Sequence, residues 1–173
     1  MNKMNTNKWS LSAETIGFLS LRAWLGVRAL LTGVEKYTGT RTVIEPLLGA
    51  DGLPDPSGAL VEFDEKVYGL EHYHAIPETF QTSFNGQPLM PEWLFKPFSA
   101  ALGPALILLG LTLLLGICTR ITLGLQALLY VALTAGFILI NQDAGIAWLG
   151  THVALIALAL MLEKHNRFTI TRS

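Results

Sequence analysis

The chain has 173 residues, 51% of them hydrophobic and only 14% charged, with a mean hydropathy of +0.44 and a formal net charge of −1. That balance excludes a disordered chain, and the length leaves room for one domain with no separate soluble catalytic unit. Cys118 is the single cysteine, which excludes an internal disulfide and any cysteine-based zinc or iron–sulfur centre.

Residues 14–34 read as the first membrane span. Lys3 and Lys8 followed by an apolar run imitate a signal peptide. Arg22 and Arg28 interrupt that run, however, and no small-residue cleavage pattern follows, so a retained transmembrane helix is expected. Residues 35–96 then form a long connection with ten acidic residues against four basic ones. A segment of about 60 residues is too long to be structureless in so small a protein. Pro46 to Pro56, with Gly49, Gly52 and Pro54, and Gly58 just beyond, reads as turns. The mixed run Leu60 to Tyr68 reads as a strand or a surface helix. Tyr73, Ile76 and Phe80 have helix-like spacing broken by Pro77, and Pro88, Pro91 and Pro97 lead toward the second span. This connection is expected to cap one face of the bundle.

Three uninterrupted apolar stretches follow at 97–118, 121–140 and 146–163, each near the 20 residues that cross a bilayer at about 1.5 Å per residue. The expected fold is therefore an all-α membrane protein: a four-transmembrane-helix bundle with a long structured outer loop between helices 1 and 2. Small-residue pairs four apart (Ala29 and Gly33, Ala101 and Ala105, Ala132 and Gly136, Gly150 and Ala154) allow close helix approach in lipid. With four spans, Lys3, Lys8, Arg120, Lys164, Arg167 and Arg172 fall on one side and the acidic loop on the other. The positive-inside bias then puts both termini in the cytoplasm.

The arginines in the first span are the first candidates for function, since each must face protein, water or a polar ligand; facing lipid costs roughly 2.5–3.5 kcal/mol or more. Arg28 and Glu35 are seven residues apart and share a helix face with Thr32 between them. His152 enters at a similar depth on the fourth span, and Asp143 lies above it. Arg28, Thr32, Glu35, Asp143 and His152 are thus expected to line one polar pocket in the outer part of the bundle. Donors to ring carbonyls, an ionisable group and apolar walls are what a quinone needs. The competing reading is that Arg28 is merely braced by Glu35 or Asp143. Arg22 is expected to be a structural anchor reaching Glu14 or Glu163. Glu71-His72-Tyr73-His74 has the residue types of a zinc site, but only two histidines lie close together and a solvated loop is expected there. No covalent-haem, dinucleotide or P-loop motif is present, and nothing points to nucleic acid.

Three passages carry a family resemblance. Leu108 to Arg120, a leucine- and glycine-rich helix ending Gly116-Ile117-Cys118-Thr119-Arg120, resembles a passage of the DoxX/DoxD superfamily. The ending Leu160 to Ile170, with Asn166-Arg167-Phe168, is similar to that family's last helix and its finish. Arg22, Gly26, Gly33 and Lys36 resemble its opening helix. The resemblance implies four helices in a bacterial cytoplasmic (inner) membrane, both termini inside, and a link to thiosulfate:quinone oxidoreductase or related redox systems. The long acidic loop departs from that pattern. The expected function is an integral subunit of a quinone-linked redox system, with a periplasmic protein docking on the acidic loop. The alternative is a non-catalytic structural or assembly subunit of a larger membrane complex, and a transporter ranks third.

Overall fold

In lipid no water is available for backbone amides, so long apolar segments satisfy their own hydrogen bonds as helices. A computed structural model describes residues 11–171 apart from 49, 50, 54, 85, 86 and 88. Lys3, Lys8, Gly49, Pro54, Pro88 and Arg172, singled out above, lie outside the described residues. The elements are α1 (Ala13–Val34), β1 (Thr38–Pro46), β2 (Leu60–Tyr68), α2 (Glu78–Phe84), α3 (Glu92–Leu115), α4 (Thr119–Leu139) and α5 (Asp143–Leu162), with single 3-10 turns at Glu35–Tyr37, Leu70–His72 and Glu163–His165.

Helices α3, α4 and α5 are each long and apolar enough to cross a membrane. Much of their apolar surface faces outward: Leu108, Ile121, Leu128, Ile138 and Met161 are all more than half exposed. A contiguous apolar exterior of this kind marks a lipid-facing surface. The protein is a membrane protein. α1 packs along α3 and α5, and α4 along α5 and α3, which closes a ring of four helices. The core runs through Phe18, Leu25, Leu106, Leu113, Leu123 and Ile156.

The α1–α3 contact is a glycine seam. A Cβ on Gly110 would lie 2.5 Å from the Leu30 backbone nitrogen, and one on Gly33 only 3.0 Å from the Gly103 carbonyl oxygen. Gly26 and Gly33 of α1 thus meet Gly110 and Gly103 of α3 in antiparallel register, seven residues apart on each helix. Close backbone approach replaces the hydrophobic drive that lipid removes. The expected α3 pair, Ala101 and Ala105, is not the pair used. Gly150 of α5 faces open space, with nothing near its missing side chain.

At the end of the bundle that carries the chain termini, α3 stops at Gly116. Its φ of 71° is the left-handed conformation glycine adopts without strain. The Gly116 N–H donates to the Leu113 carbonyl and the Ile117 N–H to that of Thr112, a Schellman closure. The C-terminal segment folds back over this turn. Arg22, buried at 8% exposure, donates from Nη1 to Asn166 Oδ1 and to the Phe168 carbonyl, both at 2.7 Å. Asn166 Nδ2 in turn donates to Thr119 Oγ1 at 3.0 Å. Neutral acceptors on the C-terminal segment hold Arg22, where sequence reasoning points to Glu14 and Glu163. Residues of α1, of the start of α4 and of the C-terminal segment therefore meet at one node.

The all-α expectation gives way between α1 and α3. Threonines at 38, 40 and 42, then Val43 and Ile44, favour extended backbone, and so do Val61, Phe63 and Val67. They pair as an antiparallel hairpin in register from Thr38 with Tyr68 to Pro46 with Leu60. Arg41 and Glu65 form a cross-strand ion pair at 3.1 Å. The hairpin stands clear of the bundle, and beyond its base every strand side chain except the half-buried Val43 is exposed. Only the later part of the connection caps the helices: Ala75 and Phe84 are buried against them. Pro97, expected in the lead-in, lies inside α3, which begins at Glu92.

Tyr73 fixes that cap. Pro104 has no N–H for the Ala100 carbonyl one turn back. The Tyr73 hydroxyl enters this gap, donating to the carbonyls of Ser99 and Ala100 and accepting from the Gly103 N–H at 3.2 Å. Its ring lies 4.8 Å from that of Tyr37, and the adjacent His74 N–H donates to the Lys36 carbonyl at 2.8 Å. These contacts set the position of Lys36 at the hairpin end of the bundle.

Candidate functional site

Arg28 and Thr32 lie one turn apart on α1, and Lys36 lies in the 3-10 turn that follows it. All three line a cavity of about 200 Å³ between α1, α3, α4 and α5. Its other polar walls are Tyr130 of α4 and His152 of α5. The rest is apolar, from Leu102 and Leu106 of α3 to Phe137, Trp148 and Leu149. Among the described residues that line it there is no carboxylate. Neither Arg28 nor Lys36 has a side-chain hydrogen-bond or ion-pair partner among the described residues. Arg28 is exposed, which puts it where the cavity opens. Burial pushes the Lys36 ammonium below its ordinary pKa, because an unpaired charge loses solvation there.

His152 is 4% exposed and sits 5.6 Å, ring to ring, from Tyr130 and 5.4 Å from Trp148, edge-on to both. Its Nδ1 lies 2.9 Å from the Trp148 carbonyl, which can only accept, so Nδ1 carries the proton. Nε2 then presents a lone pair, and it is buried without a partner. Tyr130 accepts from Gln126 Nε2 at 3.1 Å, and that same amide donates to the Leu25 carbonyl of α1. The Tyr130 hydroxyl keeps its own proton to donate. The cavity is thus walled by two cations, Thr32, Tyr130 and His152 among apolar side chains.

Of the five residues singled out from the sequence, Arg28, Thr32 and His152 come together here. Glu35 and Asp143 do not. α1 ends at Val34 and Glu35 lies in a 3-10 turn, so the helical phase from Arg28 does not extend to it. Glu35 turns to the hairpin and pairs with Lys66 at 3.2 Å. Asp143 is exposed on the first turn of α5, where a carboxylate complements the helix dipole. Lys36, Tyr130 and Trp148 were missed. Helical spacing does not single out Lys36, which lies two residues past the end of α1 in the 3-10 turn. Trp148 was legible as the residue one turn before His152.

His72 and His74 take local roles. The His72 ring packs on Gly39 of β1, and His74 Nδ1 lies 2.7 Å from the His72 carbonyl. Compared with protein-family models, curated proteins and solved structures, the chain has no match in any of the three.

Proposed function

We propose that this protein is a membrane-embedded subunit of a quinone-linked redox system and that the Arg28–His152 cavity takes the quinone ring. The observation that carries the reading is the cavity itself, walled by two cations without hydrogen-bond or ion-pair partners among the described residues and by His152, whose Nε2 is buried and unpartnered. A cavity of about 150 Å³ takes a benzene ring, so one of about 200 Å³ suits a single substituted ring. A quinol hydroxyl donates to His152 Nε2, while Arg28 and Lys36 donate to the oxygen across the ring. In the quinone form the same cations polarise a carbonyl. Interconversion moves two electrons and two protons. On oxidation of the quinol one proton passes to His152 Nε2, the other leaves through the cavity mouth to water, and a docked protein partner takes the two electrons.

The resemblance to the DoxX/DoxD superfamily supports the same reading, with α1 as a fourth span, both termini in the cytoplasm of a bacterial cell and the acidic hairpin outside. Glu35 and Asp143 drop out of the proposed binding set, and Lys36 and Tyr130 enter it. Photoaffinity labelling of purified protein with an azidoquinone tests the site. Labels are expected on peptides from α1 and α5, with excess unlabelled quinone competing. Labelling spread over the lipid-facing surface, with no competition, overturns it.

A second reading, a structural or assembly subunit, is favoured by one observation. The hairpin leaves Ile44, Leu60, Val61 and Phe63 exposed, although a lone two-stranded hairpin is marginal in water. Purification in gentle detergent followed by mass spectrometry separates the readings. A co-purifying partner lost on Phe63→Ser favours the subunit role, and a partner-free protein that binds quinone favours the first.

A further inference from the structure

A second cavity, of about 190 Å³, lies beside the first. The two share Lys36, Leu102, Leu133 and Phe137 and so adjoin along these residues. The second is lined by apolar side chains, except for Lys36 at the junction. Phe80 and Phe84 of α2 and Ile76 before it form the roof, and Ala132 and Gly136 of α4 form the floor. Phe80 packs edge-on to Phe137 with ring centres 6.1 Å apart, which ties the roof to the shared wall. The small residues of α4 create the space: a Cβ on Gly136 would meet only ordinary contacts, the nearest at 3.7 Å on Phe84.

A pocket of this size with apolar walls offers water almost no partners and favours an apolar occupant. The first cavity, at about 200 Å³, has the volume of one substituted ring. We infer that the second cavity holds the apolar tail of the molecule whose ring occupies the first, so that the ligand is a prenylated ring with its head at Arg28 and its first isoprene units beneath α2. This rests on the quinone reading above and adds to it. Tail length becomes a determinant of affinity set by protein walls rather than by lipid. Lys36 stands at the bend, its stem against the tail and its ammonium toward the head.

The experiment compares a ring-only 1,4-naphthoquinone with the same ring bearing two isoprene units. Binding is measured on the full chain in detergent, with concentrations expressed per micelle so that partitioning cancels. The prenylated compound is expected to bind about tenfold more tightly or better. Gly136→Leu, which fills the second cavity, is expected to reduce that advantage to about onefold. Gly150→Leu, on the open face of α5, is expected to keep it. If Gly136→Leu fails to fold, Ala132→Leu fills the same space. A diazirine at the end of the tail is then expected to label the α2 peptide in the parent protein. Failure of the ring-only compound to bind sinks the quinone reading itself. Ring binding without a tail advantage, or an advantage that survives both cavity-filling variants with the diazirine labelling lipid, overturns the tail compartment alone.

Discussion

The hydroxyl of Tyr73 occupies the hydrogen-bond gap that Pro104 opens in α3, joining the connection between α1 and α3 to the helix it covers. Proline inside a membrane helix is tolerated when a side chain from elsewhere satisfies the freed groups. Here that side chain comes from 30 residues upstream of Gly103, whose N–H it accepts. Tyr73→Phe removes the donor to the Ala100 carbonyl, which Pro104 leaves without an intrahelical N–H. The expected cost is about 1–3 kcal/mol, read as a lower melting temperature in detergent. Pro104→Ala restores an N–H for the Ala100 carbonyl, so Tyr73→Phe is expected to cost less in that background. Equal cost in both backgrounds would show that the hydroxyl and the proline are not coupled.

Arg22 and Asn166 give a second test. Asn166→Ala removes one of the two acceptors of a buried guanidinium and the donor to Thr119. A loss of about 2–3 kcal/mol is expected, the range for hydrogen bonds to charged groups. Arg22→Met with Asn166→Ala takes the charge away together with its acceptor and is expected to recover part of that loss. Chemical unfolding in mixed micelles measures both, and a double variant weaker than Asn166→Ala alone contradicts the assignment.

The glycine seam predicts opposite outcomes for the same substitution at two places. Gly110→Ala forces a methyl group against the Leu30 backbone, which cannot yield without parting α1 from α3. A loss of about 2 kcal/mol or more is expected, at the upper end of overpacking costs. Gly150→Ala meets open space and gains helix propensity, so a rise of up to about 1 kcal/mol is expected. Thermal melts of the two variants side by side decide the point.

Lys36 ties stability to pH. Its folded pKa lies below the value of 10.5 taken for an unperturbed lysine, because burial disfavours the ammonium. In the window between the folded pKa and 10.5 the unfolded chain holds the extra proton, so stability of the parent rises with pH there. Lys36→Met removes the desolvated charge and is expected to melt higher near neutral pH, with the advantage shrinking as pH approaches 10.5. Ligand binding is expected to fall in the same variant. A melting curve for Lys36→Met parallel to the parent at every pH would show that the ammonium carries no such penalty.

How much of this was legible in the sequence follows from the range of the forces involved. The three long apolar helices came through because length and hydropathy are local. The hairpin was only half legible: the Leu60 to Tyr68 run reads as a strand or a surface helix, and its partner is recognised only through pairing. Arg28, Thr32 and His152 were reachable because burying a polar group inside an apolar helix is costly wherever the helix packs. Glu35 failed because helical phase was carried one residue past the end of α1. The Arg22 node was hidden because Asn166 and Phe168 lie more than 140 positions away, and neutral acceptors leave no charge pattern. Tyr130 was hidden because a tyrosine on an apolar helix looks the same whether it faces lipid or a cavity.

The most direct test of the central claim uses Trp148, which lines the cavity beside His152. Titration of the purified protein with a ring-only naphthoquinone is expected to quench tryptophan fluorescence along a saturable curve. Trp148→Phe is expected to abolish the saturable component. Arg28→Met and His152→Phe are each expected to weaken it by about tenfold or more, as loss of a charge-assisted hydrogen bond implies. A linear, unsaturable quench, or a saturable one that Arg28→Met and His152→Phe leave in place, would contradict the claim that this cavity binds the ring.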